Sequence, residues 1–194
     1  MTPERVTLLR FLRSCAPEIS PPGTYFTLPG GGRSTTYINV KSACMNCFIQ
    51  DKLGSQLTET LETFGPLDAI AGIALGGCHL ASLATFHVWN RPQRQQLHVF
   101  YVRKVAIDHG GTPSFVLGPV FEGARVVLLD DIVSTGKSVM DAAVRLRDAG
   151  CDVRGVLAVI DKRRERPETL PDGMEIKSLF TIDELIYGEG AGQT

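Results

Sequence analysis

Val126-Val127-Leu128-Leu129-Asp130-Asp131-Ile132-Val133-Ser134-Thr135-Gly136-Lys137-Ser138 is the stretch on which the reading of this chain turns. An apolar strand ends in two adjacent carboxylates. A short loop of hydroxyls around one glycine follows, and helical spacing then runs through Leu146 to Ala149, with Gly150 as the expected stop. Ligands of open α/β sheets sit at the carboxyl ends of strands, which is where this loop falls. Its backbone N–H groups, hydroxyls and helix N-terminus form a cradle for a phosphate monoester. Bare carboxylates would repel that anion, so the two aspartates call for a second ligand group. A vicinal diol supplies one, because carboxylates accept hydrogen bonds from hydroxyls. A sugar phosphate satisfies both halves of the motif.

Gly136-Lys137-Ser138 also matches the end of a nucleotide-binding P-loop, G-x-x-x-x-G-K-[ST]. The first glycine of that pattern would fall on Asp131, where a carboxylate replaces close backbone approach with repulsion. The dinucleotide fingerprint G-x-G-x-x-G is absent after every predicted strand.

Outward from the motif, apolar strands alternate with helices. Strands are predicted at 69–73, 97–102, 125–129 and 153–160, with helices at 80–89 and from the motif to 149. Strands that are apolar throughout imply a parallel sheet covered on both faces. An edge strand is expected at 174–179 and a last helical turn at 182–186. Residues 1–14 read as an amphipathic helix, closed by the proline-rich run 17–23. Two short strands, 25–28 and 36–40, flank the turn Pro29-Gly30-Gly31-Gly32, and a helix is expected over 49–64. The segment between Val102 and Val116 is a polar, glycine-rich excursion, a length that marks a binding loop or lid.

Bulk composition narrows the classes. With 194 residues, 43% hydrophobic and 21% charged, the chain has one domain's worth of core. A formal net charge of -1 argues against a broad nucleic-acid surface. No apolar run approaches the roughly 20 residues of a membrane helix. Five scattered cysteines argue against a disulfide framework and for a reducing, cytoplasmic compartment. Cys44-Met45-Asn46-Cys47 lacks the second pair that a zinc site wants, so these read as buried or incidental thiols. His79, His87 and His98 read as structural.

The strand–Asp-Asp–loop–Thr-Gly-x-Ser run resembles the 5-phosphoribosyl 1-pyrophosphate (PRPP) motif of the type I phosphoribosyltransferases. The likeness extends toward the orotate phosphoribosyltransferase branch. Phe26-Thr27-Leu28 with Ser34-Thr35-Thr36-Tyr37-Ile38-Asn39 resembles its N-terminal hood. Gly72-Ile73-Ala74-Leu75-Gly76-Gly77 resembles its pyrophosphate loop, and Arg103-Lys104-Val105-Ala106-Ile107-Asp108-His109-Gly110 its mobile-loop signature. Ile160-Asp161-Lys162-Arg163 stands where that branch has a strand ending in Asp-Arg.

The resemblance implies one α/β domain over 1–194 with the type I phosphoribosyltransferase fold: a mostly parallel sheet flanked by helices, a small hood from 1–48 and about 170–187, a mobile loop, and a PRPP-binding core over 65–165. It implies transfer of ribose 5-phosphate from PRPP to a nucleobase, orotate being the expected acceptor, in pyrimidine nucleotide biosynthesis. Asp130, Asp131, Lys104 and His109 are the implied catalytic groups. PRPP falls to Arg103, Lys104, His109, Asp130, Asp131, Ile132, Val133, Ser134, Thr135, Gly136, Lys137, Ser138, Leu75 and Gly76. The base falls to Phe26, Tyr37, Ile38, Ser134 and Lys162. Mg²⁺ is expected on the donor, water-mediated to Asp130 and Asp131. A homodimer is implied, its 103–115 loop reaching the partner site, with no membrane or nucleic-acid partner.

The chain departs from that pattern in places. Pro29 and Ile107 stand where the branch has lysines, Ser134 stands for its threonine, and Lys162 for the arginine that grips the orotate carboxylate. A lysine lacks the planar two-point grip of a guanidinium. Arg33 or Arg163 is the expected substitute for one lost charge. The alternative readings are a transferase for another base, or a PRPP- or nucleotide-binding regulatory relative with weak catalysis.

Overall fold

A computed structural model describes residues 2–27, 31–107, 114–163 and 165–188. The chain divides into two units, Met1–Leu53 with Asp183–Thr194, and Gly54–Ile182.

The larger unit is built on a six-stranded sheet. Its strands are β5 (Ala69–Ile73), β6 (His98–Ile107), β7 (Ser114–Leu117), β8 (Arg125–Val133), β9 (Asp152–Asp161) and β10 (Ile176–Thr181), in the spatial order β10-β9-β8-β5-β6-β7. All neighbours are parallel except β6 and β7, which form an antiparallel hairpin. A parallel crossover takes a dozen or more residues and is usually helical; here β9 passes to β10 without a described helix. Helix α4 (Gly76–Trp89) carries the chain from β5 to β6, and α5 (Lys137–Asp148) carries it from β8 to β9. The two crossovers leave the adjacent strands β5 and β8 in opposite directions along the sheet. The gap beyond the carboxyl ends of β5 and β8 is therefore the topological switch point, where a ligand crevice forms.

The sheet is held by the apolar runs read from the sequence. Ala69, Ala71, Ile73, Val126 and Leu128 join Val139, Ala142 and Leu146 of α5 in one buried cluster. Each fully buried apolar side chain of valine or leucine size contributes roughly 1.5–3 kcal/mol. α5 ends as expected: Gly150 has φ +85°, a left-handed value that favours glycine.

The smaller unit contains α1 (Pro3–Cys15), whose Leu8, Leu9 and Leu12 are buried, and α2 (Val40–Ala43). Thr2 caps α1 by accepting from the Arg5 N–H at 3.3 Å. Its strands are β1 (Pro17–Ile19), β2 (Phe26–Thr27), β3 (Arg33–Ser34) and β4 (Thr36–Ile38), paired β1 with β4 and β2 with β3. Arg5 pairs with Glu184 of α6 (Ile182–Tyr187) at 2.9 Å. Helix α3 (Cys47–Leu61), continued by a 3₁₀ turn at Glu62–Phe64, runs from this unit into the larger one.

Several expectations need correction. β8 runs to Val133 and not to 129, because Asp130, Ile132 and Val133 continue the ladder with Ala158, Ile160 and Asp161 of β9. α4 begins at Gly76 and not at Leu80; a glycine pair reads as a turn, but here it opens a helix lying too close for side chains. The run 17–23 is not only a helix stop, since Pro17–Ile19 is a strand. Proline is tolerated there as the first residue of an edge strand. The strand expected over 36–40 ends at Ile38, pairs with β1, and gives way to α2. Much of the 102–116 excursion is the β6–β7 hairpin, and 108–113 lie outside the described residues. No described helix is long and apolar enough to cross a membrane.

Candidate active site

The switch point brings together the loop after β5 and the loop after β8. After β5, the Ala74–Leu75 peptide bond is cis and Leu75 is 74% exposed. Gly76 and Gly77 then open α4 directly against β8. A Cβ on Gly76 would collide with the Asp131 carboxylate, one on Gly77 with the Leu129 carbonyl, and one on Gly72 with the Gly77 carbonyl. The three glycines thus let a helix N-terminus sit on the end of the sheet, with the Asp131 carboxylate at its first turn. A negative charge is favoured there by the helix dipole.

Asp130 and Asp131 are both buried, although each is a carboxylate. Asp130 Oδ1 accepts the Asp131 backbone N–H at 3.0 Å. Burial, followed by the charge and the side-chain hydrogen bond of Asp131, pushes the Asp130 carboxyl up to about 8, while Lys104 pulls in the opposite direction. Lys104 itself is exposed on β6. Burial, reinforced by the charge of Asp130, also raises the thiol of the neighbouring Cys78.

Beyond the pair, Ile132 and Val133 are ladder residues, and Val133 accepts the Lys162 N–H at 2.7 Å. Ser134 and Thr135 are exposed, and Gly136 takes φ +78° where α5 begins. Lys137 and Ser138 are exposed on the first turn of that helix; the Lys137 N–H donates to Thr135 Oγ1 at 3.3 Å, and its ammonium pairs with Asp141. Ser134, Thr135, Lys137 and Ser138 are therefore exposed around a buried Gly136, next in the chain after a buried acid pair. A cavity of about 190 Å³ lies at the other end of the strands, bordered by Leu67 and Leu97, away from this chemistry.

The remaining expected residues divide by unit. Arg103 and Lys104 lie on β6, and Ile107 ends it. Phe26 and Tyr37 belong to the smaller unit, their rings 5.6 Å apart and tilted by 38°, with Ile38 next in β4. His109 and Pro29 lie outside the described residues. Lys162 is exposed directly after β9. Arg163 does not substitute for a lost charge. It is buried, grips Asp161 through Nε and Nη2 at 2.8–3.1 Å, and donates to the Pro167 carbonyl at 3.0 Å. His98 stacks edge-on against Phe121, and His87 packs so tightly on Gly54 that a Cβ there would overlap its ring, structural roles for both.

A family model described as the phosphoribosyl transferase domain matches residues 49–189. This chain belongs to the phosphoribosyltransferase family. The transferase is 32% identical over 161 residues to the orotate phosphoribosyltransferase of Methanopyrus kandleri, covering 82% of this chain and 81% of the relative. It is 34% identical over 162 residues to the enzyme of the same name from Sorangium cellulosum, covering 82% and 83%. Among solved structures, the orotate phosphoribosyltransferase of Aeropyrum pernix superposes with a TM-score of 0.73 at 26% identity, covering 92% of this chain and 95% of that one. That of Mycobacterium tuberculosis superposes with a TM-score of 0.75 at 24% identity, covering 94% and 99%. The protein is an enzyme of the orotate phosphoribosyltransferase-like kind, with the mostly parallel sheet that its sequence implied.

The residues that sequence reasoning passed over are the packing glycines Gly72 and Gly77 and the Asp161–Arg163 pair. The glycines lay in the quoted motif, but their job depends on how near a helix comes. The pair was hidden because Arg163 sits in a charged run that reads as solvent-facing.

Proposed function

We propose that this transferase binds PRPP at 130–138 and transfers its ribose 5-phosphate to orotate, releasing pyrophosphate and forming orotidine 5′-phosphate. The observation that carries the reading is the buried Asp130–Asp131 pair at the switch point, opening onto the solvent-facing cradle of 134–138. Its charges suit the donor. The ribose hydroxyls donate to the carboxylates, and the cradle takes the 5-phosphate through amides, hydroxyls and the α5 N-terminus. Lys104 and Arg103, with His109, are assigned to the pyrophosphate. The ring nitrogen of the base forms a bond to the anomeric carbon as the carbon–oxygen bond to pyrophosphate breaks, and the electron pair leaves on the pyrophosphate oxygen. Cations fixed beside that oxygen stabilise the growing charge.

The donor set also fits Mg²⁺. Two adjacent buried carboxylates favour a hard divalent cation held directly or through its waters. The ion would neutralise donor phosphate charge when bound. Ser134 and Lys162 are assigned to the base on the larger unit, and the smaller unit, which carries Phe26, Tyr37 and Ile38, is proposed as the hood. A homodimer in the cytoplasm completes the proposal, and the molar mass in solution tests its first half.

The deciding experiment combines a thermal-shift titration with an assay of pyrophosphate release. PRPP with Mg²⁺ is expected to raise the melting temperature, and orotate to trigger pyrophosphate release. No stabilisation by PRPP, pyrophosphate or ribose 5-phosphate overturns the donor-site reading. Stabilisation by PRPP without release, whichever base is offered, favours the alternative of a PRPP-binding relative with weak catalysis. The engagement of Arg163 by Asp161 supports that alternative, because a guanidinium held there is not presented to the base carboxylate. In that case Ile107→Lys is expected to raise turnover.

A further inference from the structure

The carboxyl half of β6 is poorly supported by its own sheet. Its last parallel partner is Ile73, paired with Val102. Its antiparallel partner β7 pairs at Tyr101 and Val102, and the register then shifts before Ile107 meets Ser114. Arg103 and Lys104 fall inside that irregular stretch. A bulged ladder leaves backbone groups in need of other partners.

One side chain of α5 meets the need. The Arg145 guanidinium donates through Nη1 to the Arg103 carbonyl and through Nη2 to the Lys104 carbonyl at 3.3 Å. Its face lies over the Phe115 ring of β7, with Cζ 4.2 Å from the centroid. A planar guanidinium can use two edge donors and one π-facing surface at once, which an ammonium cannot do in one geometry. The same group therefore ties both legs of the hairpin to α5, the helix whose first turn closes the phosphate cradle.

We infer that Arg145 is a positioning residue that holds the Arg103–Lys104 backbone so that these two cations meet the pyrophosphate of the donor. It acts through β6 and touches no substrate. The inference rests on the donor-site reading above and adds a residue to it.

The test is calorimetric titration of PRPP–Mg²⁺ and of ribose 5-phosphate into the wild type, Arg145→Gln, Arg145→Lys, Lys104→Ala and the double variant Arg145→Gln/Lys104→Ala. Arg145→Gln is expected to weaken PRPP about tenfold and to leave ribose 5-phosphate unchanged, because only PRPP carries the pyrophosphate. In the Lys104→Ala background the same substitution is expected to cost less than about threefold, since the residue it positions is gone. Arg145→Lys is expected to recover part of the loss. If Arg145→Gln melts below the working temperature, Arg145→Lys against wild type carries the test, with a loss confined to PRPP. Equal weakening of PRPP and ribose 5-phosphate, or full additivity with Lys104→Ala, overturns the inference and leaves the donor site standing. A wild type that binds neither ligand overturns both.

Discussion

Asp68 and Asp130 occupy opposite ends of the same two strands. Asp68 lies just before β5 and accepts the Arg125 backbone N–H at 3.0 Å and its guanidinium at 2.7 and 2.8 Å, from the first residue of β8. Those bonds hold its carboxyl well below the usual carboxylate range. Asp130, at the other end of β8, is buried beside a second acid and pushed the other way. One end of the sheet satisfies its charge from within the chain. The other concentrates like charge where water is scarce and keeps glycines where side chains would fill the space. A fold keeps an acid paired with arginine for stability, whereas two adjacent buried acids mark a candidate functional site.

The largest expected effect breaks this contrast directly. Asp131→Asn or Asp130→Asn is expected to weaken PRPP–Mg²⁺ on the order of a hundredfold, as loss of charge-assisted bonds does. The melting temperature of the ligand-free protein should hold or rise, because like-charge repulsion is relieved. Asp68→Asn is expected to do the reverse, lowering the melting temperature by roughly 2–4 °C and leaving PRPP affinity unchanged. Calorimetry and thermal melting on the same variants decide it, and a shared phenotype at the two ends would sink the distinction.

The pH dependence sharpens the same point. The folded value of Asp130, about 8, lies above its unfolded value of roughly 3.9. The folded state therefore holds the extra proton between those limits, and this acid's contribution to ligand-free stability falls as pH rises through them. PRPP–Mg²⁺ selects the ionised pair, so its affinity is expected to rise with pH by up to about tenfold per unit and to level off near pH 8. Asp68, whose folded value is depressed, contributes stability present above roughly pH 4 and lost as the pH falls below it. Titrations across pH 5–9 that show a flat PRPP affinity would count against the raised acid.

Glycine packing gives a smaller, separable effect. Gly77→Ala drives a Cβ into the Leu129 backbone and is expected to cost about 1–3 kcal/mol of stability in denaturant melts. Gly76→Ala meets the Asp131 side chain instead and is expected to weaken PRPP more than it lowers stability. The smallest change concerns the acceptor: Lys162→Arg is expected to lower the KM for orotate by about threefold with the KM for PRPP unchanged, by restoring a planar grip. Steady-state kinetics in both substrates check it.

The apolar runs at 69–73 and 125–129, the two acids and the hydroxyl loop were legible from local chemistry, because strand hydrophobicity and turn composition are properties of neighbours in sequence. The strand extension to Val133 was not, because it exists only where β9 continues beside it. The early start of α4 was missed for a related reason: the collisions that forbid side chains at Gly76 and Gly77 come from Asp131 and Leu129, more than fifty residues away in sequence. Arg163 offered the same charge as its neighbours, and only its enclosure with Asp161 shows that it is engaged.

By itself, then, the sequence determined the alternating α/β class and pointed to the proposed phosphate cradle, since both follow from periodicity and from which groups can face an anion. Only the tertiary structure decided which charges are satisfied and which are left over. Burial, ladder register and the approach of a distant helix set the proton affinity of Asp130, the engagement of Arg163 and the support of Arg103 and Lys104. Each of these depends on groups far apart in the chain.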